Sequence, residues 1–208
     1  MTVDSFMTDY FALLDEPRRP WLESEALKSR FLALAADIHP DKQPSASETE
    51  KLAANRRYAE LNAAYHCLAE PKSRLLHLLE LELGAKPKDI QQIPSVLADL
   101  FAEVATTCRN ADEFLTEKSK VASPLLQVQL FERAQEWVEQ LRSLQTRLAR
   151  LHDRLVEELK SLDALWLAKC QSGERTVWLN RLEELYRLFG YFNRWNGQIQ
   201  ERIVQLSL

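Results

Sequence analysis

The chain has 208 residues, 46% hydrophobic and 28% charged, with a net charge of −4, a globular mixture large enough for one or two packed domains. Lys and Arg are dispersed among Asp and Glu, so no basic tract offers counterion release to a nucleic-acid backbone, and nucleic-acid binding is not expected. The acidic, interrupted N-terminus lacks the basic start and continuous apolar stretch of a signal peptide, and no segment approaches a membrane span; the expectation is a cytoplasmic protein with no membrane partner.

Only four glycines occur, and between Pro124 and Gly173 there is neither Gly nor Pro, so the turn chemistry of a strand-rich chain is missing. The expected fold class is all-α. Cys67, Cys108 and Cys170 lie far apart with no CxxC pair, which argues against a zinc site, a disulfide framework or iron–sulfur ligation, and no cofactor is expected.

A short first helix is expected near residues 5 to 14, with Phe6, Tyr10, Leu13 and Leu14 as its stripe and Pro17 and Pro20 closing it. In a second, from about Ser24 to Ile38, Leu27, Phe31, Leu34 and Ile38 share one face. "SETE" has the spacing of a capping box between Ser47 and Glu50, and the helix it opens carries Ala54, Tyr58, Leu61, Tyr65 and Leu68. Two such stripes joined by a short connection predict an antiparallel hairpin. Pro71 opens a fourth helix and Gly84 caps it, after which "AKPKDIQQIP" reads as a linker.

Beyond the linker, Ser95 is placed to cap a helix with Val96, Leu97, Leu100, Phe101 and Val104 on its apolar side. Ser123 and Pro124 open a long helix in which Leu141, Leu144, Leu148, Leu151, Leu155, Leu159, Leu162 and Trp166 form a coiled-coil-like seam. "CQSGER" breaks it, and a last helix from about Thr176 to Leu206 folds back antiparallel. The resulting organisation is a four-helix unit over 1–84, a linker over 85–94 and an elongated three-helix bundle over 95–208.

The octapeptide "DIHPDKQP", residues 37–44, sits at the tip of the hairpin. Pro40 fixes its own φ and pushes His39 out of the helical region, so the second helix must stop near Ile38. His39, Asp41 and Lys42 then project from a proline-constrained turn and offer hydrogen bonds and charge to a partner. An exposed tip with no pocket, nucleophile or second carboxylate carries no catalytic constellation, and the chain is not expected to be an enzyme.

"DYFALLDEP", "EALKSRFLALAADIHPDK", "ETEKLAANRRYAELNAAYHCLAEPKSR" and "LLHLLELELG", about residues 9 to 84, together resemble the J-domain of DnaJ-type co-chaperones, and within that superfamily the HscB co-chaperones of iron–sulfur cluster assembly. The likeness rests on Leu52, Ala53, Ala54, Ala59, Asn62, Ala64, Tyr65 and Leu68, continued by Pro71, Arg74, Leu78, Leu79 and Gly84. It implies a four-helix J-domain followed by a helical client-binding bundle, and two partners. One is a DnaK- or HscA-type heat-shock ATPase, docked by His39, Pro40, Asp41 and Lys42 with Lys28 and Arg30 on the second helix. The other is an IscU-type scaffold, bound by Val96, Leu97 and Leu100 with Leu188 or Phe189. Two departures stand out. "FLALAAD" replaces the basic run that many J-domains carry on the second helix, which weakens electrostatic steering and points to a dedicated ATPase. Glu103 is the only acid in "FAEVATTC", where the family pattern is strongly acidic. The alternatives are a J-protein with a different client, or a helical assembly protein whose J-domain no longer engages an ATPase.

Overall fold

The computed structural model describes residues 8–38, 47–87, 97–121, 123–168 and 175–208, and within them every regular element is a helix. In chain order these are α1 (Tyr10–Leu13), α2 (Ser24–Ile38), α3 (Glu48–Ala69), α4 (Pro71–Leu83), α5 (Ala98–Lys118), α6 (Pro124–Ala168) and α7 (Arg175–Ser207). They form two compact units: Met1–Lys88 with Glu157–Arg187, and Asp89–Val156 with Leu188–Leu208. The end of α6 and the start of α7 thus belong to the same unit as α1 to α4, an association that periodicity alone does not reveal.

Local chemistry sets the helix ends of the first unit. Asp9 caps α1 by accepting from the amides of Phe11 and Ala12, and Ser47 and Glu50 form the reciprocal capping box at α3. Glu70 caps α4 through the amide of Ser73 at 2.6 Å, with Pro71 at the first helical position. Gly84, at φ +68°, ends α4 in the left-handed region that an L side chain resists.

α3 is central, packing on α1, α2 and α4. Phe11, Leu14, Leu27, Phe31, Leu61, Ala64, Leu68, Leu75, Leu78 and Leu79 fill the core, each large side chain contributing about 2 kcal/mol by its removal from water. The ring of Phe31 stacks on Tyr65 at 4.6 Å. Tyr58, placed in the α3 stripe by spacing, is 38% exposed. The buried face centres between Ala64 and Leu68, and at ~100° per residue Tyr58 falls about a quarter-turn away.

In the second unit Leu97, Leu100, Val104, Cys108, Ala111 and Phe114 meet Leu130, Ala134, Val138, Leu141, Leu144 and Leu148, and from α7 Phe189, Phe192, Trp195, Ile199 and Ile203. α5 starts at Ala98 with Leu97 at its N-cap and no side-chain cap bond; the expected cap Ser95 lies outside the described residues. Of the expected seam on α6, Leu141, Leu144, Leu148 and Leu159 are buried, Leu151, Leu155, Leu162 and Trp166 are half-buried, and Asp163 is the buried neighbour of Leu159.

Candidate functional site

Two surfaces were expected to bind partners. On the first, Lys28 and Arg30 are both exposed on α2, while His39, Pro40, Asp41 and Lys42 lie outside the described residues. The buried face of α2 is Leu27, Phe31 and Ala35. The opposite face runs through Glu25, Ala26, Ser29, Leu32, Ala33 and Ala36, all exposed, with Leu32 at 54%. Lys28 and Arg30 therefore flank an apolar strip instead of lying along its centre.

On the second surface, Val96 lies outside the described residues, and Leu97, Leu100, Leu188 and Phe189 are all buried, none above 8% exposed. Their side chains hold the bundle together. The exposed apolar group beside them is Phe101, at 40%, whose ring lies 6.2 Å from Trp195, itself 5.7 Å from Tyr191. Spacing put Phe101 on the apolar face of α5; it sits on that face's edge, where one side of the ring packs and the other meets water. Glu103 is engaged by Arg147.

The segment joining α1 to α2, "RRPW" at Arg18–Trp21, is held more elaborately than either expected surface. Asp163 of α6, 3% exposed, accepts from Arg19 Nε at 3.0 and 3.1 Å, from a terminal nitrogen of the same guanidinium, and from the Trp21 amide at 3.0 Å. The hydrogen bond to Asp163 is the main cause that raises the Arg19 pKa. From α4, Arg74, 2% exposed, donates to the carbonyls of Pro20 at 2.8 Å and Leu68 at 2.7 Å. Burial pushes its pKa down to about 10, so it stays charged at neutral pH. The Trp21 ring has Arg74 at 5.2 Å and Lys160 at 5.0 Å from its centroid, and the Trp166 indole donates to the Arg18 carbonyl at 3.0 Å.

Other chemistry-bearing groups are spoken for. His77 Nε2 accepts from the Tyr10 amide at 3.0 Å, and its imidazole stacks on Tyr10 at 4.6 Å. Burial raises both described thiols, Cys67 to about 11, so neither is a thiolate at neutral pH. Among the described residues no group of three or more His, Cys, Asp or Glu is arranged to hold a metal ion, and no helix is long and apolar enough to cross a membrane.

The class this architecture defines is an all-α chain in which, among the described residues, α1 to α4 precede α5, α6 and α7. Solved structures of that class cover the chain almost end to end. The chaperone HscB from Vibrio cholerae matches at a TM-score of 0.57 with 21% sequence identity, over 93% of this chain and 96% of that one. The human co-chaperone protein HscB matches at 0.56 with 20% identity, over 98% and 84%. The chain has the fold of these HscB co-chaperones. No family model matches the sequence.

Proposed function

We propose that the chain is an HscB-type co-chaperone that catalyses nothing itself, stimulates a DnaK- or HscA-type ATPase, and delivers a scaffold client for iron–sulfur cluster assembly in the cytoplasm. The observation that carries this reading is the end-to-end likeness of fold to HscB, joined to a sequence that puts "HPDK" between α2 and α3. In this reading residues 1–84 act as the J-domain and 95–208 as the client-binding bundle. His39, Pro40, Asp41 and Lys42 dock on the ATPase, with Lys28 and Arg30 beside them.

The decisive measurement is single-turnover ATP hydrolysis by a DnaK-type ATPase with increasing amounts of the chain. Wild type should accelerate it and Asp41→Asn should not; equal rates for both would leave an assembly protein with an idle J-domain.

For the client, the resemblance points to Val96, Leu97, Leu100, Leu188 and Phe189. Because Leu97, Leu100, Leu188 and Phe189 are core residues, the contact itself falls to their exposed neighbour Phe101. Titration with an IscU-type scaffold should give binding that Phe101→Ala weakens about tenfold, the ordinary cost of losing one aromatic anchor. Binding unaffected by that substitution would move the client site elsewhere.

A further inference from the structure

We propose that Asp163 is a positioning residue for ATPase stimulation, holding the start of α2 through the Arg18–Glu23 connector. The ATPase-stimulating unit is then built from both halves of the sequence. This rests on the co-chaperone reading above.

The connector has almost no secondary structure of its own, and side chains from α4 and α6 take its polar groups one by one. The Arg18 carbonyl accepts from Trp166, the Pro20 carbonyl from Arg74, and the Trp21 amide donates to Asp163. Beyond Trp21 the links run into α2. The Trp21 indole donates to the Glu23 carboxylate at 2.6 Å, and the Glu23 carbonyl accepts from the Leu27 amide at 2.9 Å, a bond of the first turn. Polar contacts therefore lead from the Asp163 carboxylate, through the covalent frames of Trp21 and Glu23, to the first turn of the helix that carries Lys28 and Arg30 and that residues 39–42 follow in sequence.

A buried carboxylate is a poor choice for stability alone, since apolar residues of similar volume usually hold a core as well. What the charged pair supplies is direction. The Arg19 guanidinium donates through Nε and a terminal nitrogen to the two carboxylate oxygens, and the same carboxylate fixes where the Trp21 amide points. Pro20 restricts φ just before it, and the Arg74 and Lys160 cations over the Trp21 ring hold it. Asp163 lies on the seam of α6, where a leucine would pack equally well against apolar neighbours but would accept nothing from Trp21.

The test uses the full chain and titrates it against a DnaK-type ATPase, with amide hydrogen exchange at Trp21 followed in parallel. In Asp163→Ala the Trp21 amide should lose protection. The concentration giving half-maximal stimulation should rise about fivefold or more, the lower end of ordinary coupling effects. The rate at saturation should hold, because His39–Lys42 are untouched. Asp163→Asn, which keeps an acceptor for the amide but loses the ion pair, should show a smaller rise. A denaturant melt establishes that each variant is folded at the assay temperature, so that a several-fold rise does not come from unfolded chain. A freed Trp21 amide with an unchanged titration curve would overturn the proposal while leaving the co-chaperone reading intact, as would a loss confined to the saturating rate. A wild type that stimulates no better than Asp41→Asn would overturn both. If Asp163→Ala does not fold, Trp166→Phe removes the bond to the Arg18 carbonyl at a solvent-accessible position; a rise in the same direction supports the proposal and a flat response overturns it.

Discussion

In the first unit a buried aspartate and a buried arginine hold a loop, whereas in the second unit leucines and aromatics hold three helices and the ion pairs stand nearer the surface. Arg147 reaches Glu103 at the surface; Arg133 reaches Glu117 at 3.1 Å and Arg202 reaches Asp112 at 2.6 Å, each with a solvent-accessible partner and hence worth about 1 kcal/mol or less. Asp163 and Arg74 are 3% and 2% exposed. An apolar seam is non-directional: it resists separation and tolerates small changes of shape. A buried fork of hydrogen bonds fixes angles and tolerates almost none. The second unit is therefore built to stay together, the first to keep one loop, and the helix that follows it, in one place.

Conservative substitutions separate the two kinds of construction most sharply. Arg74→Lys keeps the charge but loses the fork that serves the Pro20 and Leu68 carbonyls together, leaving a buried acceptor unsatisfied. It should destabilise the protein by about 2 kcal/mol. Leu141→Met, at a position with no exposure in the second unit, conserves volume and should cost less than ~1.5 kcal/mol. Urea midpoints at a common m-value measure both. An Arg74→Lys midpoint at or above that of Leu141→Met would remove the distinction between a directional and a non-directional core.

The same distinction governs how much the sequence discloses. Helices α2, α3, α4, α6 and α7 are readable because apolar spacing, the Ser47–Glu50 box, Pro71, Gly84 and Pro124 are local signals with local causes. Periodicity places a residue on a face but not at its centre, so Tyr58 and Phe101 fall on apolar stripes by spacing yet sit at their edges, partly exposed. The client residues read from the resemblance illustrate the converse: Leu97, Leu100, Leu188 and Phe189 occupy seam positions and pack as seam residues do. The connector was legible only as two prolines ending a helix. Its partners lie more than 140 residues away at Asp163, and no local pattern encodes that pairing. One signal was present: a carboxylate four residues after Leu159 and three before Trp166 falls on an apolar seam, where a buried charge requires a partner.

The smallest effect expected from the first unit is a dependence on pH, carried by His77. Its Nε2 must be unprotonated to accept from the Tyr10 amide, and protonation would set two donors against each other. Desolvation by burial is the main influence and lowers the His77 pKa; Arg18 acts the same way, and Asp9 and Glu80 oppose them. A group whose pKa is depressed on folding binds fewer protons in the native state, so stability rises with pH over the interval between the two values. The contribution is fully present above the ordinary imidazole value of 6.5 and is lost as pH falls toward the lowered one. His77→Gln can still offer an oxygen to Tyr10 but does not titrate, so it should cost about 1 kcal/mol or less at pH 8 and abolish the slope just below pH 6.5. Denaturant melts of the wild type and His77→Gln at a series of pH values decide the point: a slope that survives unchanged in His77→Gln would take the pH-sensitive contact away from the bond between His77 and the Tyr10 amide.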